Sequence, residues 1–307
     1  MSRIRNCFFA VVFAEALALT CAAQAGAAFL DPYTTAETYT ATTPGKYRLA
    51  EENTAFESKW TAANGSLTYS RKPGVNGQDP AYRYNSAVLL TTGNDAAGGN
   101  TANLKKFTVA GTIKNIPSVN TAQPGLVISG GVEQGGYILT VDNQFDGEFV
   151  LLSVDGQELL GDEGASGTPP GPHHVVKRLF DPIEGHDYSV SVTVDRTGPN
   201  PSFSVSINDL TLNDPGSRYE SGTFSDHTRG VDFGGTQIGY RVRNPLDGQT
   251  PSFGPLSLTV VPEPGPAAAI PAVFGLAILL RRSGRPSRSN DASTNTPTQP
   301  PAVSVPV

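Results

Sequence analysis

Between Phe29 and Val260 apolar side chains return at alternate positions, in runs of four to eight residues, and no convincing helical period competes with them. That period-two pattern, bounded by Gly, Pro, Asn and Asp, is the sequence mark of antiparallel sheet. Tyr188, Val190, Val192 and Val194 alternate with Ser189, Ser191, Thr193 and Asp195, and Phe203, Val205 and Ile207 alternate with Ser204 and Ser206. Phe107, Val109, Gly111 and Ile113 repeat the pattern, as do Tyr137, Leu139 and Val141. In each, an apolar face is predicted to meet a core and a polar one to meet water.

The turns agree with the strands. Asn64-Gly65, Asp146-Gly147 and Asp155-Gly156 each separate two such runs, and these dipeptides accept the positive φ angles of tight hairpins. Tyr137 to Leu160 therefore reads as a three-strand meander, with Gln157 to Leu160 as its last strand. Roughly a dozen strands over some 230 residues is the scale of an all-β antiparallel sandwich, residues 26–260, sharing one core between two inner faces.

The two ends read differently. Arg3 and Arg5, an apolar stretch from Cys7 to Cys21 and the Ala23-Gln24-Ala25 cleavage site give residues 1–25 the three regions of a secretory signal peptide. Cys21 offers lipoprotein processing as a rival, but Ala18 stands where a lipobox wants Leu. Both cysteines fall in this segment, so the exported chain is expected to hold no disulfide and no cysteine metal site. Residues 26–260 carry 16 Lys and Arg against 25 Asp and Glu, which disfavours nucleic acid and anionic membranes as partners.

At the other end, prolines 262, 264 and 266 stop the fold, Ala267 to Leu280 is an uncharged apolar run, and Arg281 and Arg282 follow. Fourteen residues make about 21 Å of helix, short of a hydrocarbon core of ~30 Å, so insertion is marginal and the arginines stay on the cytoplasmic side. This order, with Val261, Pro262, Glu263 and Pro264 in front, resembles the PEP-CTERM sorting signal of bacterial exported proteins. The resemblance implies transient insertion in the inner membrane, recognition of residues 261–282 by an exosortase-type processing enzyme, and delivery to the cell surface or extracellular matrix. Residues 283–307 read as a disordered tail.

A second resemblance covers about Phe29 to Val260. A Gly135-Gly136-Tyr137 strand, the meander at 148–160, the paired strands at 188–196 and 202–212, the entry at Gly234 and Gly235 into Tyr240, and a last strand Leu256–Val260 are similar in order to a concanavalin A-like (laminin-G-like) jelly roll. Such folds include hydrolases, lectins and inert wall modules, so chemistry must be sought in the residues.

The residues offer little of it. Glycoside hydrolysis needs two carboxyls across the scissile bond, and the nearest acidic pairs, Asp146 with Glu148 and Asp162 with Glu163, read as solvated turn acids. Asp142, Asn143, Gln144, Asp146 and Gly147 form an incomplete calcium loop whose twelfth position is Ser153. His173, His174, His186 and His227 read as exposed loop residues rather than ligands. Trp60 is assigned to the core, and Tyr82 with Tyr84 to one side of a strand. The expectation is a sorted, non-enzymatic protein without cofactor or metal, structural or binding extracellular polysaccharide. The alternative is a carbohydrate-active enzyme or calcium-dependent lectin on the same fold.

Overall fold

A computed structural model describes residues 27–40, 42, 45–51, 57–72, 86–117, 122–142, 147–159, 174–212, 214–243 and 249–262. In chain order the strands are β1 (Ala27–Asp31), β2 (Glu37–Tyr39), β3 (Tyr47–Glu51), β4 (Lys59–Ala63), β5 (Ser66–Ser70), β6 (Ser86–Thr91), β7 (Lys106–Lys114), β8 (Gln123–Gly131) and β9 (Gly135–Val141). They continue with β10 (Phe149–Val154), β11 (His174–Phe180), β12 (Tyr188–Asp195), β13 (Ser202–Asp209), β14 (Arg218–Ser225), β15 (Gln237–Arg243), β16 (Ser252–Phe253) and β17 (Leu256–Val260). An α-helical turn, α1 (Gly156–Leu159), and 3-10 turns at Ala96–Gly98 and Pro215–Ser217 interrupt the series.

These strands make two antiparallel sheets. The larger has ten strands along the path β14-β13-β12-β7-β16-β5-β4-β2, with β17 pairing both β7 and β1. The smaller has seven, in the order β11-β10-β9-β8-β15-β6-β3. Their inner faces share one core, to which the larger sheet gives Phe107, Val192 and Phe203 and the smaller gives Leu126, Leu139 and Tyr240. Trp60 is fully buried there, its ring 5.3 Å from Tyr69 and 5.5 Å from Phe253.

The Asn64-Gly65 signal places its strands as the sequence requires. Asn64 and Gly65 both take positive φ, 53° and 77°, between β4 and β5, which the right-handed twist of a two-residue hairpin demands. Strands β12 and β13 pair in unbroken register from Tyr188 opposite Asp209 to Asp195 opposite Ser202. Strand β17 occupies Leu256–Val260, the predicted last strand.

Two expectations are corrected. Gln157 to Leu160 is not the third strand of the meander: Gly156–Leu159 coil into α1, with the Leu159 N–H donating to the Asp155 carbonyl at 2.9 Å, and Leu160 lies outside the described residues. The third strand is β11, paired with β10. The physical reason is Leu159, which the helical turn drops into a second apolar layer with Val88, Val127, Ile138, Val150 and Leu152. That layer lies on the outer side of the smaller sheet, so β9 and β10 are buried on both faces and do not show a wet one. Their runs, Tyr-Ile-Leu-Thr-Val and Phe-Val-Leu-Leu-Ser-Val, carry apolar residues at both parities, the pattern of a doubly covered strand.

One side chain crosses the whole core. The Tyr240 hydroxyl, on β15, accepts from the Thr112 N–H at 3.2 Å and donates to the Gly254 carbonyl at 3.1 Å in the opposite sheet. It fits because Gly111 is a glycine: a Cβ there would lie 2.2 Å from that oxygen. Tyr240→Phe should lower the stability by about 1–2 kcal/mol by orphaning a buried amide, and Gly111→Ala should cost more. Urea unfolding of both variants checks this, and equal stability to the parent in the first would remove the hydroxyl from the account.

Candidate functional site

The outer face of the larger sheet is built by the same alternation that fills the core. With Val109, Val192 and Val205 turned inward, Thr108, Thr193 and Ser204 turn outward, each half-buried by its neighbours. Register then lines the hydroxyls up across strands. Thr259, Thr108, Thr193, Ser204 and Thr223 stand opposite one another in one row over β17, β7, β12, β13 and β14. The next row runs Ser257, Ala110, Ser191, Ser206 and Glu220. Neighbours in a row stand about 5 Å apart and successive rows about 7 Å apart.

Polar contacts confirm that these side chains lie together. Thr108 Oγ1 and Thr193 Oγ1 are 2.8 Å apart, and Arg218 Nε donates to Ser206 Oγ at 3.3 Å. Ser189, Ser191, Ser206, Asn208 and Arg218 line a shallow depression of about 450 Å³. The charges sit at the margin: Lys106 pairs with Asp195 at 3.3 Å at one end, Arg218 with Glu220 on the edge strand, and Lys114 Nζ donates to Ser66 Oγ. Hydrogen bonds from the Thr197 hydroxyl and N–H, aided by Lys106, hold the Asp195 carboxyl below its ordinary range against the effect of burial. Each hydroxyl can donate once and accept twice, so the face is an uncharged, two-dimensional array of donors and acceptors.

The opposite margin is fastened by a residue that the sequence reading placed in solvent. His186 is half-buried, and its Nδ1 lies 2.7 Å from Oδ2 of Asp209, whose side chain is 2% exposed. Asp209 also accepts from the Thr211 and Leu212 N–H groups. Exposure of His186 was the natural expectation for a Gly-His loop. Its partner, 23 positions on, was not visible in the local pattern. The pair ties the turn before β12 to the end of β13, beside Asn208.

The other sequence-predicted residues divide as follows. His227 is exposed, His174 opens β11, and His173 lies outside the described residues. Asp142 is fully buried and Glu148 is paired with Arg178 at 2.6 Å, while Asn143, Gln144, Asp146, Asp162, Glu163, Tyr82 and Tyr84 lie outside the described residues. Among the described residues no group of three or more His, Cys, Asp or Glu is placed to hold a metal. Of the sorting residues, Val261 is still held by the sheet, its N–H donating to the Lys106 carbonyl at 3.1 Å, and Pro262 is exposed. Glu263, Pro264, Arg281 and Arg282 lie outside the described residues, as do residues 1–25, the apolar run and the tail. Among the described residues no helix is long and apolar enough to cross a membrane.

No protein-family model and no curated protein matches the chain. Among solved structures, the xylan β-1,4-xylosidase from Bacillus halodurans C-125 matches at 12% identity and a TM-score of 0.43, over 75% of this chain and 38% of its own. The carbohydrate recognition domain of Emp47p matches at 14% identity and a TM-score of 0.39, over 75% of this chain and 96% of its own. The carbohydrate binding module CBM66 from Bacillus subtilis matches at 12% and 0.39, over 69% and 94%. The chain thus spans well under half of the xylosidase.

The His186–Asp209 fastening carries a pH signature. Burial pushes the Asp209 carboxyl up, but the hydrogen bonds from His186, Leu212, Thr211 and Tyr188 outweigh it and leave it below its ordinary value. A depressed carboxyl stabilises the fold above the unfolded value of about 4 and loses that contribution as pH falls through the folded one. Asp209→Asn should therefore destabilise by roughly 1–3 kcal/mol at pH 7, with the gap to the parent closing below about pH 4. Urea midpoints from pH 3 to 7 measure it; a gap independent of pH would refute the assignment.

Proposed function

We propose that this chain is an exported, non-catalytic β-sandwich of the concanavalin A-like jelly-roll kind that binds extracellular polysaccharide through the hydroxylated outer face of its larger sheet. The observation that carries the reading is the paired register of Thr259, Thr108, Thr193, Ser204 and Thr223. Hydroxyls repeating at about 5 Å match the order of one sugar ring along an extended chain. Each hydrogen bond to such a chain replaces one to water and contributes little, about 1 kcal/mol or less, so affinity would come from engaging many at once on a long or packed polymer. The face holds no uncompensated carboxylate pair, which favours holding a glycan over cleaving one. The net charge of residues 26–260 argues against nucleic acid.

Delivery follows from the C-terminal signal. In this reading an exosortase-type enzyme recognises Val261, Pro262, Glu263 and Pro264 while the apolar run, stopped by Arg281 and Arg282, is held transiently in the inner membrane. The processed chain then reaches the cell surface or matrix, where polysaccharide is the material at hand.

Retention of the purified full-length chain on insoluble β-glucan, cellulose and chitin tests the binding half. At least one should retain the parent, independently of calcium and without releasing reducing ends. Ser191→Lys combined with Ser206→Lys should weaken retention tenfold or more while leaving the melting temperature within a few degrees. If the double variant is retained as well as the parent, the face is not the binding surface.

Replacing Pro262, Glu263 and Pro264 together with alanine tests the sorting half. The sandwich should still fold, and the full-length chain should accumulate in the inner membrane. Mass spectrometry of the extracellular form decides: a mature protein that still carries Arg281 and Arg282 would rule processing out.

A further inference from the structure

A second site lies where β3, β6, the β8–β9 turn and the start of β15 meet. Arg48, Leu90, Val132, Glu133, Gln134 and Gln237 are the principal lining of a cleft there of about 350 Å³, at the small end of the ~300–1,000 Å³ typical of ligand pockets. Arg48 and Leu90 are register partners on adjacent strands. Leu90 is buried, and Val132 packs against the same outer apolar layer, so the two give the cleft an apolar floor. Around that floor stand a guanidinium, a carboxylate and two primary amides, with Thr91 and Thr92, whose hydroxyls donate to the Gly99 and Gly45 carbonyls.

The turn that carries Glu133 and Gln134 is held by contacts only glycine permits. A Cβ on Gly156, the first residue of α1, would lie 2.4 Å from the Glu133 carbonyl carbon and oxygen and 2.7 Å from the Val132 oxygen. On Gly235 it would lie 2.2 Å from the Gly130 carbonyl. The Gln134 N–H closes the turn on the Gly131 carbonyl at 3.2 Å. Gln237 is fixed separately, bridged to Asn100 on one side and paired with Gly130 on the other. The backbone that carries these groups is thus set before a ligand arrives, and the exposed Glu133 and Gln134 side chains extend from it at the cleft.

The chemistry of the lining selects the ligand. Arg48 and Glu133 offset each other, so the cleft has no net charge with which to hold a phosphate or a carboxylate. Two aliphatic side chains are too little floor for a lipid. A ring with one C–H face and vicinal hydroxyls around its rim answers both halves, with a carboxylate and amides accepting from and donating to neighbouring hydroxyls. We propose that this cleft binds the terminal residue of a neutral saccharide chain, with Glu133, Gln134 and Gln237 on its hydroxyls and Leu90 and Val132 under its ring. The proposal rests on the polysaccharide-binding reading and adds an end-recognising subsite distinct from the hydroxylated face.

The probes are soluble tetrasaccharides, namely cellotetraose, laminaritetraose and chitotetraose, titrated calorimetrically into the full-length chain. Insoluble β-glucan, cellulose and chitin are assayed in parallel. At least one tetrasaccharide should bind the parent, and Glu133→Gln combined with Gln134→Ala should weaken it tenfold or more without changing the melting temperature. Gly156→Ala, which displaces the turn without removing any lining group, should weaken it as well. The cleft is wrong, with the polysaccharide reading intact, if a solid polymer retains the parent but no tetrasaccharide binds, or if the Glu133 and Gln134 variant binds as the parent does. Failure of the parent on every solid and soluble probe would sink both.

Discussion

The hydroxyl of Tyr240 reaches from the smaller sheet through the core to the backbone of the larger. It accepts from Thr112 and donates to Gly254, and Gly111 leaves the notch it enters. Burial pushes its titration far above that of a free tyrosine, so it stays a neutral donor and acceptor throughout. An apolar sandwich specifies that two faces meet but only loosely specifies their relative register, because aliphatic contacts are non-directional. A hydrogen-bonded crossing is directional. Since β7 also carries β12 on one side and β16 and β17 on the other, the crossing positions the strands on which the hydroxyl rows are written.

From that arrangement follows an unequal treatment of the two outer faces. The larger sheet turns Ser and Thr outward at most of the outward positions of β12 and β13 and at Thr108 and Thr112 of β7, whereas the smaller turns out Val88, Val127, Ile138, Val150 and Leu152 and buries them. A β-branched hydroxyl residue suits an outward strand position as well as Val suits an inward one, since both favour extended backbone. The larger sheet can therefore be polar outside without losing strand propensity. Its edge strand β14 is interrupted by Gly222 at a φ of 65°, close to the register shift opposite Ser204 to Ser206. An irregularity of that kind discourages a further strand from adding on.

What was legible in the sequence follows from how local each signal is. Strands β7, β12 and β13 were read from alternation, and the β4–β5 hairpin from Asn64-Gly65, because a period and a turn dipeptide are carried by adjacent residues, whereas β17 was read from the order of elements in the jelly-roll resemblance. The outward hydroxyls were visible one strand at a time. Their alignment into rows was not, because the register of β7 with β17 joins positions about 150 apart, as Ser257 with Ala110, and that of β7 with β12 joins positions about 80 apart. The helical turn at Gly156–Leu159 was missed because Asp-Gly is an equally good hairpin signal. What decides against it is a tertiary destination for Leu159. The cleft escaped for the same reason: its residues come from four separate segments, and the only local hint was a surplus of glycines at 130–136 and 234–235.

The last strand shows how the fold and the proposed sorting fit one another mechanically. Strand β17 is not an edge: β1 pairs one side of it and β7 the other, and Val261 adds a further bond to Lys106 before Pro262 ends the ladder. Any force or processing applied beyond Pro262 therefore meets a strand held on both sides in register, so that displacing it requires breaking two ladders together rather than peeling one. A proline with no N–H placed directly after that strand stops the sheet from extending into the segment that follows. Among the described residues the ladder therefore ends on the Val261 bond to Lys106, directly before Pro262, which has no N–H to donate.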